Sequence, residues 1–317
     1  MFKSKHIYID IMKVIDLCCG IGGFATALAP ECTPVFACDI DPICRDVYEA
    51  NFGLKPAGDI FDVVVSDMPD ADILTCGAPC QPYSTAGLRR GSKDSRCRVF
   101  TKIMDIVEAK QPAIVILENV VNLKKIEDGS IFIGIKEAFE GMGYHVQHHV
   151  LNTRDFGLAQ NRNRLYIVAT KTAKDLKIEH NEKQVNLEDV VDLSLRDYLD
   201  NDKFTLFNSY QVKTSTSGLR FCGYNNTTQI RKGIKKDKLM HSRSHQVTSR
   251  AYHVAGISPT LTTSGNVIIY DGRGFRYLTI EELYAIQGFP PTFKRCGNIT
   301  KSKHQIGNSV SPKVVRA

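Results

Sequence analysis

Five consecutive apolar residues, Ala113-Ile114-Val115-Ile116-Leu117, run without a polar interruption and stop at Glu118-Asn119-Val120. A strand of that composition has no face to give to water. It must be covered on both sides, which points to a parallel or mostly parallel sheet between two layers of helices. The flanking sequence agrees. Stretches that read as strands at 13–17, 33–38, 72–76, 144–151 and 165–169 alternate with segments of helical character. The clearest of these spans 95–110, where Val99, Ile103, Ile106 and Val107 share one face. Pro42 suits a first helical position, with helix expected on to Phe52, and further helices are expected over 25–28 and 131–142. The expected fold class is therefore α/β. From Lys171 the periodicity weakens, and 171–250 reads as a smaller, irregular, mainly β region. Order returns at Thr279, where Glu282 three residues on makes a capping-box pattern for a helix ending at Gly288.

Charge is unevenly placed. The chain carries a formal +7, and 201–250 alone holds ten lysines and arginines against two acids. The remainder is close to neutral. A charge run is often only a solvated face, but an excess confined to one segment marks a polyanion-binding surface. Ten cysteines without a secretory leader read as reduced thiols. Their spacing matches no zinc pattern, so no metal site is expected. No apolar run reaches membrane-spanning length.

Ligands of an open parallel sheet sit beyond the carboxyl ends of its strands, and four marked loops lie at such ends. The first is Asp16-Leu17-Cys18-Cys19-Gly20-Ile21-Gly22-Gly23-Phe24, whose glycines allow tight turning and close approach of backbone to a ligand. Asp39, at the end of the second strand, is suited to two ribose hydroxyls, and Asp59 offers a further acceptor for an adenine amino group. These features describe an adenosine-containing cofactor. The glycine spacing of dinucleotide sites is absent, so S-adenosylmethionine fits better than NAD, having no pyrophosphate to cradle.

The third loop sets Cys80 between Pro79 and Gln81, with Pro82 next. Two prolines fix the backbone on either side of the thiol, a stiff mount suited to a nucleophile. The plainer reading is that Cys80 is one small hydrophobe among ten. Glu118, in the fourth loop, suits holding or donating a proton if burial raises its pKa, or is simply structural. Gln160, Arg162 and Arg164 fall on one face of an extended segment. The two arginines there suit a phosphate, an anionic carbonyl or Glu118 itself.

Together these stretches resemble the cytosine-C5 DNA methyltransferase family, over nearly the whole chain and in the family's order. Asp16–Phe24 resembles its cofactor loop, Gly77–Ser84 its Pro-Cys loop, and Glu118–Val120 and Gln160–Arg164 its next two motifs. Arg250–Asn266 resembles the segment after its variable region and Gln305–Val310 its last motif. The resemblance implies a Rossmann-like S-adenosylmethionine-dependent methyltransferase sheet with a smaller, mainly β target-recognition domain. The implied boundaries are 1–170 for catalysis and cofactor, 171–271 for target recognition, and 272–317 as a segment returning to the catalytic domain. It implies methylation of carbon 5 of a flipped cytosine in duplex DNA, as in restriction-modification. Cys80 would be the nucleophile, with Glu118, Arg162 and Arg164 as its catalytic companions. The cofactor would lie against Asp16, Cys18, Gly20, Gly22, Gly23, Phe24, Asp39, Ile40, Asp59, Ile60, Pro79, Asn308, Ser309 and Val310. DNA would meet Gln81, Ser84, Arg250, Tyr252, Thr260 and Leu261.

Two positions depart from the family pattern. Cys18 stands where an aromatic is usual and Ile40 where a larger apolar residue is common, which implies looser adenine packing. Seven residues follow Val310, where the family normally continues into a longer closing helix. The RNA-methylating branch of the family usually carries Cys-Phe-Thr after the equivalent of Gln160–Arg164, and that tripeptide is not found here. A non-catalytic DNA-binding relative would lack the nucleophile or the carboxylate, and both are present. The expected protein is a monomer without metal or membrane attachment. It would be cytoplasmic in a prokaryotic or phage-like source, nuclear in a eukaryotic one, and not secreted.

Overall fold

The structure is a computed structural model that describes residues 11–78, 95–172, 175–180, 183–207, 215–216, 218–225 and 250–317. Pro79, Cys80, Gln81 and Ser84 lie outside these, as do all cations of the basic segment except Lys203, Arg220 and Arg250. In chain order the elements are β1 (Met12–Leu17), α1 (Gly23–Leu28), β2 (Cys32–Cys38), α2 (Pro42–Phe52), β3 (Ile73–Cys76), α3 (Ser95–Lys110) and β4 (Ile114–Asn119). Next come α4 (Ser130–Gly141), β5 (His145–Asn152), β6 (Gln160–Asn161), β7 (Asn163–Thr170), β8 (Phe204–Leu206), β9 (Phe221–Asn225) and β10 (Arg250–His253). The chain closes with β11 (Ser258–Pro259), β12 (Ile268–Tyr270), β13 (Phe275–Tyr277), α5 (Ile280–Gln287), α6 (Ile299–Asn308) and α7 (Pro312–Arg316). They form two compact units, Met1–His149 with Leu165–Leu176, and Val150–Arg164 with Lys177–Ala317.

The first unit is built on a six-stranded sheet of order β2-β1-β3-β4-β7-β5. β1 pairs in parallel with β2 and β3, and β3 with β4. β7 runs antiparallel to β4, with Asn119 opposite Leu165. The sheet is thus mixed, parallel on one side of β4 and reversed beside it. Val115 and Leu117 of the apolar run are buried, whereas Ile114 and Ile116 are only half-covered. Ile103, Ile106 and Val107 of α3 are fully buried in the same core, each worth about 1.5–3 kcal/mol of transfer from water. Register decides where the site falls. Leu17 lies opposite both Cys38 and Cys76, and Cys76 opposite Leu117. Leu17, Cys38, Cys76 and Leu117 therefore stand in one row, and the loops beginning at Cys18, Asp39 and Gly77 leave the sheet beside the Glu118-Asn119 end of β4.

In the second unit, β13-β12-β10-β9-β8 form a five-stranded sheet, and β11 pairs with β6. Phe204 and Phe275 stack at 4.3 Å within its core. α5 begins as its sequence demands. The Thr279 hydroxyl accepts from the Glu282 N–H and the Glu282 carboxylate accepts from the Thr279 N–H. The same carboxylate takes both terminal nitrogens of Arg276 at 2.8 Å. Gly288, at φ 94°, ends the helix in the left-handed conformation. Gly307 is packed backbone on backbone, since a Cβ there would fall 2.4 Å from the Thr262 carbonyl group. Among the described residues no helix is long and apolar enough to cross a membrane, and no cluster of His, Cys, Asp or Glu has the makings of a metal site.

Candidate active site

The loop after β1 is shaped by residues in the left-handed region, Cys18 at φ 49°, Gly20 at 54° and Gly22 at 87°. Gly22 is also sterically required, because a Cβ would lie 2.2 Å from the Phe52 ring. Gly20 differs. Nothing stands within 4 Å of where its Cβ would be, so bare backbone faces open space. Gly23 and Phe24 open α1 and are buried. The Asp39 carboxylate holds the loop in place, accepting from the Gly20 N–H at 2.8 Å and from the Asp41 N–H at 2.9 Å. Each of its oxygens keeps a second acceptor position. Burial raises the Asp39 carboxyl above its ordinary pKa, against those two hydrogen bonds.

Asp16 lies beneath the loop and is completely buried. Its Oδ1 accepts from the Thr75 hydroxyl at 2.7 Å, and the Tyr48 hydroxyl is a second, weaker partner that also holds its pKa down. Burial pushes this carboxyl up to about 7, against the Thr75 hydrogen bond and with a smaller contribution from Asp39. Ile40 follows Asp39 and is 72% exposed. Asp59 caps a 3-10 turn at Ile60–Asp62 through the Phe61 N–H, so the Ile60 N–H is one of the donors the turn leaves unused. A bare glycine backbone beside the free acceptor positions of Asp39 and an isoleucine 72% exposed fit an adenosine cofactor. A separate cleft of about 340 Å³ includes Gly58 and Asp59 in its lining but not Asp16, Gly20, Asp39 or Ile40, so it is not this site.

Glu118 and Asn119 end β4, both buried. The Asn119 amide donates to the Ala78 carbonyl at 3.2 Å. Ala78 is the last described residue before Pro79, so β4 anchors the stem from which the Pro-Cys loop departs. Four described thiols are poor nucleophiles. Burial drives Cys38 and Cys222 up to about 12 and raises Cys19, and Cys76 is raised first by its hydrogen bond with the Cys18 thiol and then by burial.

In the second unit the Gln160–Arg164 segment divides its labour. Arg162 is 2% exposed. Its Nη1 donates to the Leu261 carbonyl at 2.9 Å, and its Nη2 to the carbonyls of Gly307 at 3.1 Å and Ser309 at 3.0 Å. Arg164 is half-exposed, donating to the Asn163 carbonyl. The Thr260 hydroxyl donates to the Asn161 carbonyl at 2.7 Å. Leu261 and Tyr252 are buried, whereas Arg250 is half-buried over the Phe221 ring at 5.6 Å. At the end of α6 the Asn308 side chain is exposed, and Ser309 and Val310 are buried. Sequence reasoning missed Gln287, wholly buried at the end of α5, and the Arg276–Glu282 pair. A glutamine closing a helix just before Gly-Phe-Pro was the available signal.

Residues 12–317 match the family described as C-5 cytosine-specific DNA methylase. The chain is 36% identical to the type II methyltransferase M.HaeII of Haemophilus aegyptius, covering 96% of this chain and 91% of that protein. It is 31% identical to the type II methyltransferase M.HhaI of Haemophilus parahaemolyticus, over 98% and 94% of the two. In fold it is similar to the S. pombe Dnmt2 methyltransferase, at a TM-score of 0.69 and 18% identity over 96% of each chain. A putative DNA modification methyltransferase from an E. coli prophage matches at a TM-score of 0.66 and 20% identity, over 96% of each chain. The mixed sheet and the separate, mainly β sheet are the architecture of these folds. The chain therefore belongs to the C-5 cytosine-specific DNA methylases, and is a DNA (cytosine-5-)-methyltransferase that uses S-adenosylmethionine.

Proposed function

We propose that the reaction is carried by Cys80 and Glu118 on a cytosine flipped out of duplex DNA. The Cys80 thiolate adds to carbon 6 while Glu118 gives a proton to N3, and Arg164 contacts the carbonyl oxygen. Carbon 5 thereby becomes nucleophilic. Bound S-adenosylmethionine supplies the electrophilic methyl group. A base then removes the carbon 5 proton, and Cys80 leaves with the electrons of its bond to carbon 6. Asp39 would hold the ribose, Asp59 and the Ile60 N–H the adenine edge, and Ile40 its face, with Asp16, Cys18 and Pro79 as neighbouring contacts; Asn308, Ser309 and Val310 would be further cofactor contacts. Arg162, which gives both terminal nitrogens to backbone carbonyls, serves by holding Leu261 and Ser309 rather than by touching cytosine. The single observation that supports the assignment most is the Asn119–Ala78 hydrogen bond, because it ties the strand bearing Glu118 to the stem of the Cys80 loop.

The finer organisation follows the same reading. Residues 1–170 make the catalytic region, 171–271 read the target, and 272–317 return to complete the catalytic part. Gln81, Ser84, Arg250, Tyr252, Thr260 and Leu261 form or support the DNA-facing edge. The enzyme works as a monomer in the cytoplasm of its host, without a metal.

Bisulfite sequencing of DNA from expressing cells identifies the target site. A duplex carrying 5-fluorocytosine there, with S-adenosylmethionine, should trap the protein in a denaturant-resistant complex, since fluorine cannot leave as a proton does. Peptide mapping should place the adduct on Cys80, and Cys80→Ser should abolish it. An adduct on another cysteine, or one that persists in Cys80→Ser, refutes the assignment.

A further inference from the structure

The buried amide of Gln287 joins two segments that the proposed reaction uses for different ligands. Its Nε2 donates to the Ser309 carbonyl at 2.7 Å, and its Oε1 accepts from Gln160 Nε2 at 2.8 Å. Gln160 Oε1 in turn accepts from the Leu261 N–H at 3.0 Å. Arg162 closes the circuit, since its guanidinium holds the carbonyls of both Leu261 and Ser309. A further bond runs from the Ser311 hydroxyl to the Gln287 carbonyl at 2.9 Å. Gln160 and Gln287 are 0% exposed and Arg162 is 2% exposed. Every bond lies within the second unit. A core needs no amide pair and guanidinium to pack, and apolar residues of like size would avoid their desolvation. What such a lattice adds is a fixed relation between the backbones it spans.

We propose that Gln287 is a positioning residue that makes the Thr260–Leu261 edge and the Asn308–Val310 turn move as one piece, so that DNA and cofactor bind cooperatively through it. This rests on the reading of the first segment as DNA-facing and of the second as cofactor-facing. Coupling between two sites is reciprocal and commonly amounts to about 5–150-fold in affinity. Arg162 still bridges the two backbones when Gln287 is lost, so removing Gln287 weakens the coupling without removing either site.

The test is calorimetric titration of S-adenosylhomocysteine into full-length protein, with and without a duplex carrying the bisulfite-mapped site. The ratio of the two dissociation constants is the readout. In the wild type it should be about 10 or more. In Gln287→Met, which keeps the length and loses both hydrogen bonds, it should fall below about 3, while each ligand alone binds within about 3-fold of wild type. Gln160→Met cuts the circuit at the Leu261 side and should do the same, and it decides the matter if Gln287→Met does not fold. An unchanged ratio overturns the proposal, and so does an equal loss of both affinities with the ratio kept, which marks a merely structural residue. Asn308→Ala and Thr260→Ala test the underlying reading. The first should weaken the homocysteine ligand and the second the duplex. If neither does, the segments are not binding edges and the proposal falls with that reading, whereas intact controls beside an unchanged ratio condemn the proposal alone.

Discussion

A single carboxyl beneath the cofactor loop gives the molecule a pH signature. Asp16 holds its proton in the folded state up to about pH 7, because burial disfavours its charged form. In the unfolded chain it ionises near its ordinary value of 3.8. Between those two values the native state binds more protons than the unfolded one, so this group makes stability fall as pH rises. Roughly 2–3 kcal/mol should be lost between pH 5 and pH 8 on its account. Asp16→Asn removes that term. Urea unfolding should therefore show the variant gaining on wild type by about that amount from pH 5 to pH 8, and an equal pH dependence in the two proteins would contradict it. Some of this scale was legible in the sequence. The sequence put Gly20 and Asp39 at the ends of two strands, although the grip of Asp39 on the Gly20 N–H came only with the structure. The complete burial of Asp16 was not legible, since burial depends on every neighbour. Gln287 was hidden for another reason, because its partner Gln160 lies 127 residues away.

Helices announce themselves locally, and several of their ends were read well, whereas α6 and α7 were not foreseen. α3 spans the stretch its apolar spacing defined, Pro42 opens α2, and Thr279 and Glu282 form the capping box. Strand direction was harder. An apolar run such as Leu165–Ala169 carries no polarity, so nothing in it distinguished the reversed β7 from a parallel neighbour. The two roles of Glu282 can be separated by size of effect. As a partner to the Thr279 cap it is worth about 1 kcal/mol, and Thr279→Ala should cost that much. As the buried acceptor of both Arg276 nitrogens it guards a charge that would otherwise stand unpaired, and Glu282→Ala should cost about 3–5 kcal/mol. Denaturant titration of both variants checks the order. Equal losses would mean that the ion pair adds nothing beyond the cap.

At the scale of the whole molecule the decisive property is where the charge lies. Ten cations and two acids within 201–250 should form the electrostatic footprint on DNA. If about four to six of them meet phosphates, the logarithm of affinity should fall with the logarithm of salt at a slope of roughly −4 to −5. Fluorescence anisotropy of a labelled duplex from low to moderate salt measures it, and a slope near zero would remove this segment from the interface. The α/β class and the order of motifs were plain from the sequence because they rest on periodicity and on loops at strand ends. The target itself was not, because recognition loops follow no repeating pattern.

Gly307 sets a limit of a different kind. Its missing side chain is occupied by the backbone of Thr262, and a main chain cannot rotate out of the way as a side chain can. Eight residues earlier Ile299 is 64% exposed. Within a single helix, then, the sequence is free to drift at one end and has one permitted letter near the other. The freedom of α6 to change over generations is graded along its own axis.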